Sequence, residues 1–171
     1  EFLDSFRKKV KAVSPDAVII GEVWEDASNK SSYGKRRRYL QGDQLDSVMN
    51  YPFAEAIISF VRNADAEKFD ETVSVIKENY PKEVLDVLMN HIGTHDTQRA
   101  INALAGESCD GRSREWQSGR VLSKKNYALG KILLKEAAVL QFTLPGIPCI
   151  YYGDEAGVHG YKDPFNRGCF P

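Results

Sequence analysis

The sequence has few cysteines, almost no charge imbalance and no long apolar run. Its three cysteines, Cys109, Cys149 and Cys169, lack the CxxC spacing of zinc or redox sites and are too few for a disulfide framework. The formal net charge is −1, so bulk charge gives no indication of a nucleic-acid partner. The basic run at residues 35–38 is interpreted as a solvated loop or helix end. No apolar run approaches the length of a membrane span, so we expect no membrane partner.

The remaining composition is that of an ordinary globular protein. The chain has 171 residues, of which 42% are hydrophobic and 27% are charged. This length is sufficient for one domain with a sizeable core. Sequence patterns show neither an internal repeat nor a linker, so we expect one domain or one piece of a domain.

Apolar periodicity predicts helices that alternate with short buried strands. A helix is predicted over residues 2–13, and Ser14-Pro15 ends it because the residue before proline avoids helical geometry. Strands are predicted at 17–23, 44–51, 86–92 and 149–153. Further helices are predicted after Pro52, around 69–76, at 96–104 and at 122–142. Residues 25–43, with room for one helical turn, and residues 106–119 are predicted to be polar loops. This alternation is typical of parallel βαβ units in an α/β fold.

Each predicted strand ends in polar or charged residues. Glu22, Asn50 and His91 lie at the carboxyl ends of the first three predicted strands, and Asp154 directly follows the fourth. In a parallel barrel these carboxyl ends lie on one face, where the βα loops form active sites. Four polar ends therefore predict a functional face.

Two of the carboxylates form a candidate acid/base pair. Glu22 has apolar neighbours, and we expect partial burial to raise its pKa so that it acts as a general acid. Asp96 lies beside His95 and near Arg99, and we expect it to stay ionised. Such a pair fits glycosidic bond cleavage. The residues alone leave two alternatives open: a strand-end salt bridge for Glu22 and a helix N-cap for Asp96.

Several motifs in the correct order resemble the α-amylase family of glycoside hydrolases. These are GEVW at 21–24, MNHIGTHDTQR at 89–99 and PGIPCIYYGDEAG at 145–157. The segments GDQLDSVMNYPF at 42–53 and DPFNR at 163–167 are similar to the neopullulanase and cyclomaltodextrinase-like branch. The resemblance runs from near Phe2 to the last residue. It implies a retaining α-glucan hydrolase built on a (β/α)8 barrel.

The resemblance also implies roles for particular residues. Glu22 matches the general acid/base after the fifth barrel strand, and Asp96 matches the aspartate that stabilises the transition state after the seventh. His95 matches a histidine that hydrogen-bonds a sugar hydroxyl. Further substrate-binding residues are implied, although a packing role stays open for each: Trp24 and Tyr51 as stacking surfaces, and Asp163 with Arg167 on the non-reducing side. Asp154 and Glu155 are interpreted as structural.

One element of the family pattern is missing. No segment resembles the DGxRxDxANE motif that carries the nucleophilic aspartate, and neither Asp16 nor Asp46 has the required context. A whole barrel of this type takes about 250 residues. We therefore expect residues 1–171 to form the C-terminal half of the catalytic barrel, approximately strands 5 to 8 with their helices. Such a fragment is expected to be inactive alone and to expose two sheet edges, so we expect a homodimer, pairing of the exposed edges or marginal stability.

The expected substrate is an α-glucan with α-1,4 or, as a further option, α-1,6 bonds, as in maltooligosaccharides, pullulan or cyclodextrins. We expect no cofactor and no metal, because the missing part would supply most calcium ligands. The unpaired cysteines and the habits of this branch favour the cytoplasm. Three alternatives stay open: an α-glucanosyl transferase, a non-catalytic glucan-binding or transporter-associated relative, and a half-barrel with an unrelated role.

Overall fold

The structure is a computed structural model that describes residues 2–171. In chain order its elements are α1 (Phe2–Val13), β1 (Ile20–Gly21), β2 (Ser31–Ser32), β3 (Lys35–Arg36), β4 (Ser47–Val48), α2 (Tyr51–Asn63), α3 (Ala66–Asn79), α4 (Lys82–Leu85), β5 (Met89–Asn90), α5 (Ala100–Ala105), α6 (Arg114–Gly119), α7 (Lys124–Thr143) and β6 (Ile147–Pro148).

Four short parallel strands lie side by side in chain order. β1 pairs with β4 and β5 pairs with β6, both in parallel. A parallel bridge between Met49 and Met89 joins the two pairs. Helices α2 to α4 connect β4 to β5, and α5 to α7 connect β5 to β6. The predicted parallel βαβ arrangement is thus confirmed, and the carboxyl ends of the four strands lie along one face.

The helices begin where side chains cap their free N–H groups. The Asn50 side chain accepts a hydrogen bond from the N–H of Phe53 at the start of α2. Ser123 does the same for the N–H of Asn126 at the start of the 20-residue helix α7. The predicted helix bounds at 2–13 and 122–142 agree with α1 and α7 to within two residues.

Four sequence-based predictions of local structure were wrong. The fourth strand lies at 147–148 rather than 149–153, and the short helix begins at Ala100 rather than at Asp96. The loop predicted at 25–43 contains the β2–β3 hairpin, and the loop predicted at 106–119 contains α6. The hairpin turns at Tyr33 and Gly34, which both have positive φ (53° and 71°), the geometry of a two-residue hairpin loop.

Two apolar clusters hold the helices against the sheet. One lies below β1 and β4 and includes Ile19, Val48 and Leu88, and the other joins α2, α5 and α7 through Ile57 and Leu104. Apolar side chains remain exposed at both lateral edges of the sheet: Phe2, Phe6, Val13 and Val18 at the α1 side, and Ile132, Val139, Phe142, Ile147 and Ile150 at the α7 side. Within residues 2–171, no helix is both long and apolar enough to cross a membrane.

Candidate active site

Side-chain amides link the strands directly beneath the candidate site. The Asn50 Nδ2 donates to Asn90 Oδ1 at 2.8 Å, and the Asn90 Nδ2 donates to the Pro145 carbonyl at 2.8 Å. Gln141 Nε2 donates to the carbonyls of Asn90 and Cys149 at 3.0 and 2.9 Å. These three amide side chains, Asn50, Asn90 and Gln141, are called the amide ladder below. Because they are buried and paired, they fix the ends of neighbouring strands relative to one another.

Glu22 leaves β1 at the carboxyl end of the strand and contacts Tyr51. The Tyr51 hydroxyl donates to Glu22 Oε1 at 3.2 Å. Burial, with smaller contributions from the carboxylates of Glu22 and Asp96, raises the pKa of Tyr51 to about 12. Both candidate catalytic carboxylates therefore lie close to one phenol. Glu22 itself is exposed, so the expected enclosure by apolar neighbours was wrong for the described residues.

Trp24 rather than Tyr51 presents an aromatic surface. Their rings stack with centroids 4.0 Å apart and an interplanar angle of 16°. Trp24 is 47% exposed, whereas Tyr51 is 2% exposed and also meets the edge of His91 at 4.6 Å. The expectation that the Tyr51 ring stacks on a sugar is therefore not met here. Tyr51 supports Trp24 from below and holds Glu22 through its hydroxyl.

Asp96 sits in a turn of residues 94–97, which is called the Asp96 turn. The N–H of Asp96 donates to Thr94 Oγ1 at 3.2 Å, and the N–H of Thr94 donates to Thr97 Oγ1 at 2.9 Å. These bonds replace the predicted helix start, so Asp96 is not the N-cap of α5. Its carboxylate is 39% exposed, as a substrate-contacting group must be.

Two of the predicted site residues lie beside the Asp96 carboxylate, and a third pairs with one of them. His95 Nε2 lies 3.2 Å from Asp96 Oδ2, and Arg167 Nη2 lies 3.7 Å from Asp96 Oδ1. Arg167 also forms an ion pair with Asp163, four residues earlier. The structure therefore brings together His95, Asp96, Asp163 and Arg167. The cation beside Asp96 is Arg167, so the sequence-based assignment of that place to Arg99 was wrong.

Arg99 instead forms a buried pair with Asp154. Its side chain is completely buried, 3.4 Å from Asp154 Oδ1, and donates to the Tyr152 carbonyl. The guanidinium lies over the rings of Tyr151 and Tyr152 at 4.3 and 4.6 Å. Burial raises the pKa of Asp154 to about 6, although Arg99 lowers it. The pair joins the β6 loop to α5, which supports the interpretation of Asp154 as structural.

His91 is a buried residue that sequence reasoning noted only as a strand end. It is 2% exposed, and neither ring nitrogen has a hydrogen-bond partner within residues 2–171. Burial lowers the pKa of His91 to about 4. A neutral imidazole thus packs against the Tyr51 ring, on the segment after β5 that leads to Asp96.

A cleft of about 640 Å³ opens beside these residues. Its lining includes Trp24, Tyr51, His91 and Asp96 together with polar residues of α2 such as Arg62. A second groove of about 710 Å³ lies along the exposed side of α7. Neither Glu22 nor Asp96 belongs to the residues that line it. The described residues contain no cluster of three or more His, Cys, Asp or Glu side chains arranged to hold a metal ion.

Comparison with known proteins gives a consistent result. Residues 1–169 match the family model of the alpha-amylase catalytic domain. A cyclomaltodextrinase of Bacillus sp is 37% identical over 171 residues, which are 99% of this chain and 25% of that protein. Neopullulanase 2 of Thermoactinomyces vulgaris is 36% identical over 165 residues, covering 95% of this chain and 23% of that protein. The chain thus spans about a quarter of the length of these relatives.

Solved structures agree with the sequence matches. The cyclic alpha-maltosyl-(1→6)-maltose hydrolase from Arthrobacter globiformis, in complex with maltose, superposes with a TM-score of 0.75 at 29% identity; the match covers 99% of this chain and 32% of that one. A cyclomaltodextrinase structure gives a TM-score of 0.74 at 35% identity over 99% of this chain and 24% of its own. These neighbours are of a TIM-barrel family. The chain belongs to the alpha-amylase catalytic-domain family.

Proposed function

We propose that this chain is the C-terminal half, approximately strands 5 to 8, of the catalytic barrel of a retaining α-glucan hydrolase. The observation that carries the proposal is the placement of Glu22 and Asp96 on the carboxyl face of the parallel strands, both near the Tyr51 hydroxyl. The proposed substrates are α-1,4-linked, or α-1,6-linked, glucans such as maltooligosaccharides, pullulan or cyclodextrins. The names of relatives, including cyclomaltodextrinase and neopullulanase, support this class.

In the proposed mechanism Glu22 protonates the leaving glycosidic oxygen and then activates the water that releases the glycosyl-enzyme. Tyr51 donates to Oε1 of Glu22, which orients the carboxyl group. Asp96 stabilises the positive charge that develops on the sugar ring, with His95 and Arg167 beside it. A nucleophilic aspartate on another part of the barrel forms the covalent bond to the sugar.

The remaining assigned residues are proposed to bind the glucan. Trp24 offers an exposed ring for stacking on a sugar face, backed by Tyr51. Asp163 and Arg167 form an exposed ion pair beside Asp96 and can hydrogen-bond sugar hydroxyls. Their position next to the carboxylate supports contact with the sugar units nearest the cleaved bond.

The test is Glu22→Gln in the whole protein. We expect turnover of maltooligosaccharides to fall by about 10³-fold, because general acid/base catalysis contributes about 10²–10⁴-fold, while glucan binding is retained. Glu25→Gln is the matched control, since Glu25 is an exposed carboxylate nearby that pairs with Lys30. Appreciable residual activity of the Glu22 variant would contradict the assignment.

We propose that residues 1–171 alone do not catalyse turnover. Asp46, one of the two aspartates weighed as a stand-in for the nucleophile, is engaged by Arg7 and Lys11 at the opposite end of the sheet from Glu22. Sugar release from the pure 171-residue chain would contradict this proposal.

We also propose that the 171-residue chain self-associates through its exposed apolar edges, which sedimentation would measure. A cytoplasmic location is proposed from the unpaired cysteines.

The same residues also suit an α-glucanosyl transferase, in which a sugar acceptor replaces water. A product assay with excess maltose distinguishes the two reactions. Retention of Glu22 and Asp96 at the strand ends disfavours a non-catalytic glucan-binding relative, and an aspartate at the nucleophile position of the whole protein would decide between them.

A further inference from the structure

We propose that Asn166 is the positioning residue that holds the Asp96 turn in place. This inference rests on the proposed function, since it takes Asp96 to be the group that stabilises the transition state. Asn166 is completely buried. Its Nδ2 donates to three backbone carbonyls of the turn: Thr94 at 3.2 Å, His95 at 2.7 Å and Thr97 at 2.6 Å.

The Asp96 turn depends on Asn166 because the hydrogen bonds formed within the turn satisfy mainly its backbone N–H groups, not its carbonyls. The N–H groups of Thr94 and Asp96 bond to threonine hydroxyls within the turn. The carbonyls of Thr94, His95 and Thr97 converge on one amide nitrogen instead, and only that of Thr94 has a second donor, the Thr97 hydroxyl at 3.4 Å. Partly buried carbonyls that lose their donor are costly, so removal of this nitrogen favours a different backbone conformation.

The side-chain amide of Asn166 acts only as a donor within residues 2–171. Its Oδ1 is buried and accepts no hydrogen bond from the described residues. The chemistry of the contact therefore requires an N–H donor at this point. A carboxylate of the same shape would direct oxygen atoms against three carbonyl oxygens.

The segment that carries Asn166 also reaches the Asp96 carboxylate. Arg167, the next residue, lies 3.7 Å from Asp96 Oδ1 and pairs with Asp163 of the same segment. Asn166 thus fixes the backbone of the turn, while the positive charge of Arg167 lies beside the negative charge of the Asp96 carboxylate. Through these two residues the loop after β6 sets both the place and the electrostatic surroundings of Asp96.

The test uses Asn166→Ala and Asn166→Ser in the whole protein, with hydrolysis of an aryl α-maltoside as the readout. We expect kcat of the alanine variant to fall by about 10²-fold with KM within about threefold, because small misplacements of a catalytic group have effects of this size. The serine variant keeps one donor and is expected to be intermediate. If the alanine variant does not fold, the serine variant carries the test, and wild-type kcat in it overturns the inference.

Asn102→Ala is the matched control. Asn102 is equally buried and accepts the N–H of Gly160 at 2.8 Å, but it forms no hydrogen bond to the Asp96 turn. We expect a lower Tm and a kcat within about threefold of wild type. An equal loss of kcat in the control and in Asn166→Ala would show that the effect is general destabilisation and overturn the inference.

A double-mutant cycle with Asp96→Asn separates positioning from structure. If Asn166 acts through the Asp96 carboxylate, Asn166→Ala lowers kcat by less than about twofold in the Asp96→Asn background. A further loss of about 10²-fold there contradicts the inference. Wild-type kcat in Asp96→Asn itself overturns the proposed function together with this inference. Full kcat in Asn166→Ala beside an impaired Asp96→Asn overturns the inference alone.

Discussion

At the amino ends of β1 and β4, the Asp46 carboxylate accepts the N–H of Ile19 at 2.8 Å and pairs with Arg7 and Lys11 of α1. At the carboxyl ends of the same sheet, Glu22 and Asp96 are exposed and keep lone pairs directed to solvent. One end of the sheet therefore uses a carboxylate to attach a helix, whereas the other leaves two carboxylates exposed to solvent.

The difference follows from the number of partners around each group. Asp46 has one backbone donor and two cations, so little of its hydrogen-bonding capacity remains. Asp96 has a histidine and a distant arginine, which stabilise its charge without covering it. Asp154 is the exception at the carboxyl end, because it is buried against Arg99. Three predictions test this division between buried or paired groups and exposed ones: two concern carboxylates and one concerns the buried imidazole of His91.

The largest effect is expected for Arg99→Met, which removes the cation from the buried Asp154. We expect a loss of about 3–5 kcal/mol in the free energy of unfolding at pH 8, the cost typical of a buried charge without its partner. Burial already raises the pKa of Asp154 to about 6, and loss of Arg99 raises it further. The native carboxyl can then take up a proton that the unfolded chain releases, so the loss should shrink toward pH 5.

Arg62→Met is the matched control for this prediction. Arg62 donates to the carbonyls of Ala103 and Gly106 and has no carboxylate partner in the described structure. Its loss should therefore not depend on pH between 5 and 8. Equal pH dependence in both variants, measured by denaturant unfolding, would mean that Asp154 is not the group that titrates.

A smaller effect is expected for His91→Leu. The pKa of His91 is about 4 in the folded protein, below its ordinary value of 6.5, because burial disfavours the charged ring. The unfolded chain therefore binds more protons between these values, and stability is lost as pH falls from about 6.5 toward 4. We expect the leucine variant to gain about 2 kcal/mol over wild type at pH 5 and almost nothing at pH 8.

Thermal unfolding at the two pH values measures this gain. His159→Leu is the control, since His159 is exposed and should give no comparable gain at pH 5. A gain of the same size at pH 8 would attribute the stabilisation of the His91 variant to packing rather than to protonation.

The smallest effect is expected for Asp46→Asn, at about 1–2 kcal/mol near pH 7 with unchanged activity. Burial opposes ionisation, but the N–H of Ile19 and the two cations lower the pKa of Asp46 overall. Its contribution is therefore present above the unfolded pKa near 3.8 and is lost as pH falls through the lower folded pKa. Asp43→Asn, at an exposed pair with Arg38, should change stability by less than about 0.5 kcal/mol.

Activity measurements on Asp46→Asn would sharpen the comparison. Reduced kcat without reduced stability would show that the amino end of the sheet also serves the reaction. Retained kcat with lower stability would place Asp46 wholly in the attachment of α1.

The parallel strand order was predictable because buried strands and amphipathic helices have distinct periods. The position of β6 was not. Pro148 lacks an N–H, so the sequence indicates the end of an element at this residue. The residues on either side nevertheless donate to β5: the N–H of Ile147 to the Leu88 carbonyl and that of Cys149 to the Asn90 carbonyl, both at 2.7 Å. The nitrogen of Pro148 is not required for this pairing, which is why proline is tolerated at the edge of a sheet.

The candidate site was predictable where a sequence motif indicates the residues. It was not predictable where burial in the fold determines which partner a side chain contacts. The sequence indicates Glu22, His95 and Asp96 because polar groups follow buried strands. It does not indicate that Arg99 turns away from Asp96, three residues before it, toward Asp154, because only the fold brings the loop after β6 against Arg99. Asn166 lies between two residues named by the resemblance, but only three converging carbonyls reveal what its amide does.

The amide ladder of Asn50, Asn90 and Gln141 has a consequence for alignment. Strands that pair over only two residues have little power to resist sliding past one another. A slip of β5 by one residue would break the side-chain bonds from Asn50 to Asn90, from Asn90 to Pro145 and from Gln141 to the Asn90 carbonyl together. Three neutral amides therefore keep the carboxyl ends of β4, β5 and β6 in register, and with them the Asp96 turn that follows β5.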